Sequence, residues 1–244
     1  MHIHFIKHES FEQAGAYLIW AQQRGYEISF SNVYLRDKLP DSADKMDMLI
    51  VLGGPQSPEK DETAFPYYDP QAEQRLIQQA IRADKAVVGV CLGAQLIGAS
   101  YGVGFSHSPN KEIGNFPIFL TDAGAKDDKI AHIGAQLTVG HWHNDMPNLT
   151  EQAEVLTYSE GCPRQIVRYA ELVYGLQCHM EFTQNIAQDI VHIEKQLNRL
   201  SEQYPYVQAA EQIVNFDYRK MNEALFLFLD KLVAAYLKQK EKTF

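Results

Sequence analysis

Residues 46–52, MDMLIVL, form an almost unbroken apolar run that stops at Gly53-Gly54-Pro55. A strand with one wet face alternates apolar and polar residues, whereas a continuous run marks a strand covered on both faces, as in a parallel sheet between helices. The chain repeats this unit. QAEQRLIQQAIRAD at 71–84 carries helical spacing, AVVGV at 86–90 is a second doubly covered strand, and LGAQLIGASYG at 92–102 reads as a helix stopped by Gly102. Upstream, HIHFI at 2–6 is a short apolar strand and YEISFSNVY at 26–34 another strand candidate. Between them Ser10, with Gln13 three places on, predicts a capping-box start for a helix running to about Gln23. Strands and helices alternating in this order predict an α/β fold, a doubly wound and mostly parallel sheet with flanking helices.

Over about 113–183 the segments shorten. EIGNFPIFLT, QLTVGHWH, EVLTYS, RQIVRY and LVYGLQCHMEF are strand-like pieces that either extend the sheet or form hairpins beside it. From Asn185 helical spacing returns, with Ile186, Ile190, Ile193, Leu197 and Leu200 on one face. A further helix near 217–238 aligns Met221, Leu225, Phe228, Leu229 and Leu232. The expected organisation is one domain over 1–184 and a C-terminal helical extension over 185–244. The apolar stripe of that extension must pack on the same domain or form a homo-oligomer interface.

Composition narrows the function classes. With 244 residues, 45% apolar and 22% charged, the chain has enough apolar residues for one sizeable core. No stretch reaches the roughly 18–20 apolar residues of a membrane helix, and MHIHFIKHES lacks a basic-then-apolar leader pattern. Three cysteines, an odd and small number, argue against a disulfide framework and suit a reducing, cytoplasmic setting. A net charge of -9 argues against a nucleic-acid or anionic-membrane surface, which leaves a small molecule or a protein as partner.

Cys91 stands where the strand at 86–90 meets the helix at 92–102, with Gly89 and Gly93 two places to either side. A residue on such a sharp turn projects above the sheet, and its crowded backbone favours glycine at those flanking places. The helix N-terminus adds free N–H groups and a positive dipole end, which favour a thiolate and can hold an oxyanion. A cysteine nucleophile needs a base, and the base an orienting group. His179 and Glu181, two apart in a strand-like run, can point the same way.

These blocks resemble the class I glutamine amidotransferases, the Cys-His-Glu triad family. The resemblance rests on Gly53-Gly54-Pro55 with Ser57 close behind, Gly89-x-Cys91-x-Gly93-x-Gln95, and Gly175-x-Gln177-x-His179-x-Glu181, in order over about 50–185. It implies a flavodoxin-like fold, no cofactor, and glutamine as substrate. It also implies Cys91 as nucleophile, His179 as acid/base, Glu181 as its orienting carboxylate and Gln95 as a contact to glutamine. The backbone N–H groups of Gly54 and Leu92 would hold the oxyanion. His143-Asn144-Asp145 is similar to the Ser-His-Gly-Asp stretch of GMP-synthase-like members, where the backbone approaches the glutamine α-carboxylate, with Asn144 in place of Gly. Met180 replaces the family's usual Pro. The resemblance is to stand-alone, GMP-synthase-like members, and it implies an acceptor or synthetase protein as partner. Two other readings stay open: a γ-glutamyl peptidase using the same triad, and a regulatory protein in which the triad is idle.

Other polar residues have plainer readings. His141, His143 and Asp145 have the period-2 spacing of a metal-ligating face, but pocket lining or loop polarity accounts for them better, and no metal is assigned. His2, His4 and His8 read as structural or exposed, Cys162 as a turn residue, and Cys178 as facing away from its neighbour His179.

Overall fold

The computed structural model describes residues 1–59 and 63–242. The run at 46–52 has no polar position within its strand because Met48 and Ile50 enter one apolar cluster while Leu49 and Val51 enter another on the opposite face. The strands are β1 His2–Lys7, β2 Glu27–Asn32, β3 Met48–Val51, β4 Ala86–Val90, β5 Phe105–Leu120, β6 Gln136–Pro147, β7 Glu154–Tyr158, β8 Ile166–Ala170 and β9 Val173–Leu176. Among the described residues they make one nine-stranded sheet in the order β2-β1-β3-β4-β9-β8-β7-β5-β6. Neighbours from β2 to β9 are parallel, and those from β9 to β6 antiparallel. The short middle strands therefore extend the sheet. Its antiparallel half curls back on itself, because Gly140 of β6 exchanges backbone hydrogen bonds of 3.1 and 2.7 Å with His179, just beyond β9.

The helices are α1 Gly15–Gln23, α2 Pro70–Arg82, α3 Leu92–Ser100, α4 Gln184–Ile193, α5 Leu197–Gln203, α6 Ala210–Val214 and α7 Arg219–Lys242. Residues of α1 and α7 bury into one cluster, those of α2 and α3 into the other. None of the described helices is long and apolar enough to cross a membrane.

Two local expectations are overturned. The helix expected from Ser10 begins at Gly15, without a side-chain cap, because the Ala16 N–H donates 2.9 Å to the Glu181 carbonyl. Gly15 has φ +48°, and a Cβ there would stand 2.2 Å from that same oxygen. A tertiary bond has thus displaced a local cap worth about 1 kcal/mol. The helix expected beyond Asn185 breaks at 194–196, where the Gln196 N–H donates to Glu194 Oε1, and Ile193 is left half exposed.

The C-terminal helix is part of the main core. Met221, Leu225, Phe228, Leu229 and Leu232 are all buried, and Phe228 packs edge-on to Tyr174 of β9 with centroids 5.1 Å apart. Asp230 accepts from Trp20 Nε1 at 2.9 Å and from Arg24 Nη2 at 2.7 Å, and the Tyr236 hydroxyl donates 2.6 Å to Asp47.

Candidate active site

Where β4 turns into α3, Cys91 adopts φ 50°, ψ -106°, a strained conformation for a residue with a side chain. Its N–H donates 2.8 Å to Leu176, and the turn is so tight that a Cβ on Gly89 would stand 2.3 Å from the Gly93 carbonyl oxygen. The side chain is thrown above the sheet. It opens on a cleft of about 260 Å³ whose walls include Glu12, Gly54, Trp142, His179 and Phe182. Curling of the sheet brings β6 to this cleft, and the Cys91 thiol lies 3.8 Å from the Trp142 carbonyl oxygen.

His179 reaches the same cleft from beyond β9. Its Nδ1 donates 2.6 Å to Glu181 Oε1, and Phe182 stacks on the ring at 4.5 Å. Burial disfavours a charge on His179, but the Glu181 carboxylate and the Cys91 side chain outweigh burial and hold its pKa well above the ordinary value. The ring is thereby set to be a proton donor at neutral pH.

Leu92 is the first residue of α3, so its N–H has no partner within the helix. Gly54 adjoins it: a Cβ there would lie 3.1 Å from Leu92 Cδ2. The preceding residue is pinned by His8, whose Nδ1 donates 3.0 Å to the Gly53 carbonyl and whose Nε2 donates 2.8 Å to Glu73. With both nitrogens donating, His8 is an imidazolium. Burial lowers its pKa, but the Glu73 carboxylate more than compensates, so the value is raised.

Other residues singled out in the sequence lie elsewhere. Gln95 is buried and donates 3.2 Å to Gln177, Asn144 is exposed, and Asp145 accepts 2.5 Å from His107; none of the three lines the cleft. His141 and His143 do share a face, but Glu112 and not Asp145 joins them, all three fully buried. Glu112 accepts from Ser159 at 2.7 Å, Gln165 at 2.6 Å and His143 at 3.2 Å, while His141 donates 3.2 Å to the Phe116 carbonyl. Burial pushes His141 down to about 4, so it is neutral. A neutral histidine and two further buried donors could ligate a cation, yet the carboxylate is already satisfied by hydrogen bonds, which stiffen β6 beneath Trp142. Cys162 lies in the turn between β7 and β8, fully buried there, its N–H donating 3.0 Å to Ser159 Oγ, and Cys178 lies 3.9 Å from the Gln165 carbonyl oxygen, away from the cleft.

Cleft residues that the sequence pattern did not single out are Phe11, Glu12, Trp142, Phe182 and Glu194. Trp142 and Phe182 adjoin segments already singled out. Nothing in the pattern pointed to Glu12, which the expected helix would have absorbed.

A family model described as glutamine amidotransferase class-I matches residues 14–198. The chain is 52% identical over 236 residues to YfeJ of Salmonella typhimurium, named a glutamine amidotransferase-like protein, covering 97% of this chain and 99% of that one. It is 29% identical over 114 residues to one subunit of the glutamine-hydrolyzing GMP synthase of Methanococcus maripaludis, a match spanning 46% of this chain and 59% of that one. Among solved structures, that of SMU.1228c superposes with TM-score 0.94 at 51% identity, covering 96% of this chain and 100% of that one. A glutamine amidotransferase from Thermotoga maritima shares the fold at TM-score 0.82 and 18% identity, over 96% of this chain and 98% of that one.

Proposed function

The chain belongs to the class I glutamine amidotransferase family, and from that premise we propose that it hydrolyses the side-chain amide of glutamine through Cys91, His179 and Glu181. The observation that carries this reading is the strained Cys91 turn opening on the same cleft as an imidazole hydrogen-bonded at 2.6 Å to Glu181. Cys91 sulfur adds to the amide carbon. The oxygen gathers charge beside the N–H groups of Leu92 and Gly54, the two donors this reading assigns to it, and donors held by the fold cost less reorganisation than water. His179 passes its proton to the nitrogen, which leaves as ammonia, and a glutamyl thioester remains. Water deprotonated by His179 then releases glutamate and restores the thiolate and imidazolium. Glu181 keeps the ring oriented throughout.

Ammonia is a nucleophile of little use free in solution, and the likeness to part of a GMP synthase supports delivery to an acceptor held by a synthetase partner. The test is intact-mass labelling with a diazo-ketone glutamine analogue, comparing wild type with Cys91→Ala and protection by glutamine with protection by glutathione. One adduct at Cys91, blocked by glutamine, is the expected result. Protection by glutathione alone would make the protein a γ-glutamyl peptidase, and no adduct would sink the hydrolase reading.

A further inference from the structure

Glu12 is held at the reaction centre by contacts at both ends of its loop. On one side His8 is fully buried between the Gly53 carbonyl and Glu73; on the other the Ala16 N–H is bonded to the Glu181 carbonyl. The segment between them cannot wind into helix, and it turns Glu12 into the cleft wall.

Gly53 locates the carboxylate. The point where a Cβ on Gly53 would stand is 2.9 Å from Glu12 Oε2, 3.4 Å from His179 Cε1 and 3.5 Å from Cys91 Cβ. A carboxylate oxygen, the imidazole edge and the carbon that carries the nucleophile therefore crowd around Gly53. Among the described residues Glu12 makes no hydrogen bond or salt bridge, and no lysine or arginine lines the cleft, although Lys7 is near enough to feel the Glu12 charge. Burial raises the pKa of this carboxyl, an effect that the nearby His179 charge offsets only in part, so the value stays above the ordinary one.

A leaving group that takes the His179 proton must come within hydrogen-bond reach of that ring, and so stands in the cleft whose wall Glu12 shares with His179. An amide nitrogen arrives with N–H groups to spare and grows more positive as it departs. An ester oxygen carries no hydrogen and grows negative.

Building on the hydrolase reading above, we propose that Glu12 is a further catalytic residue, its carboxylate accepting a hydrogen bond from the leaving nitrogen and so favouring amides over esters. The sulfur–carbon bond forms, the carbon–nitrogen bond breaks, and the proton from His179 goes to the nitrogen; Glu12 neither gains nor loses a proton.

The experiment compares kcat/KM for glutamine and for the γ-methyl ester of glutamate in wild type, Glu12→Met and Glu12→Gln. Both substrates carry the same glutamyl part, so binding contributions common to them cancel in the amide-to-ester ratio. Glu12→Met should lower that ratio about tenfold or more, and Glu12→Gln, which keeps a neutral acceptor, should lower it less. Alkylation of Cys91 by the diazo-ketone analogue reports that each variant is folded. A ratio unchanged within about twofold, with both rates reduced alike, would overturn the proposal, since Glu12 would then serve the shared glutamyl part or the fold. A wild-type chain that is not alkylated and turns over neither substrate would instead overturn the hydrolase reading itself.

Discussion

The carbonyl oxygen of Val51 lies 2.0 Å from the point where Gly93 would carry a Cβ. Strand β3 and helix α3 are therefore in backbone contact beneath Cys91, and the contact sets the height of the nucleophile. Gly93→Ala must push the helix away. The expected cost is about 3 kcal/mol or more in urea unfolding, with Cys91 alkylation slowed at least about tenfold. A variant with unchanged stability and labelling would show that the turn is not held by this contact.

His179 is buried, which opposes its charge, yet Glu181 and the Cys91 side chain raise its pKa well above 6.5. The proton needed by the leaving nitrogen is thus present at neutral pH and is lost as pH rises through the folded value. Glutamine hydrolysis should fall along that alkaline limb while alkylation of Cys91 by iodoacetamide, from which iodide leaves without needing a proton, persists. Glu181→Gln should move the limb to lower pH and reduce kcat by about 10²-fold or more, as pH–rate profiles would show.

His8 and Glu73 form a fully buried pair at 2.8 Å, and the His8 pKa is raised above 6.5 despite burial. A raised value means that the stabilisation is complete below the unfolded pKa and disappears as pH climbs through the folded one. The penalty of His8→Gln should accordingly be roughly 3–5 kcal/mol near pH 6 and shrink at alkaline pH. Urea midpoints of the two proteins across pH would decide it, a penalty that grows with pH being the contrary result.

Removing residues 185–244 would uncover the core side of Trp20 and Tyr174 and delete the buried residues of α7. At about 1.5–3 kcal/mol for each large apolar side chain, the loss exceeds the 5–15 kcal/mol that holds a domain together. A chain ending at Gln184 should show no cooperative melt. If it melted cooperatively, and only its oligomeric state changed in light scattering, α7 would be an assembly element.

Features written in short stretches were legible without coordinates. A strand covered on both faces can hold no polar residue, so β3 and β4 announced themselves as apolar runs. Gly89, Cys91 and Gly93 record a clash among atoms four residues apart, and His179 and Glu181 meet because alternate residues of an extended chain share a face. Each is a local constraint, and the class I glutamine amidotransferase resemblance rests on them.

Contacts between distant residues were decided by the folded whole. Ala16 bonding to Glu181 overrode the capping box at Ser10 and released Glu12 into the cleft, and Glu112, far away in sequence, stands beside His141 and His143, while Asp145 turned to His107. Gln95 faced Gln177 and not the cleft, and α7 joined the main core. A local cap contributes about 1 kcal/mol, whereas packing a helix or satisfying a buried carbonyl contributes several times that, so tertiary contacts prevailed wherever the two competed.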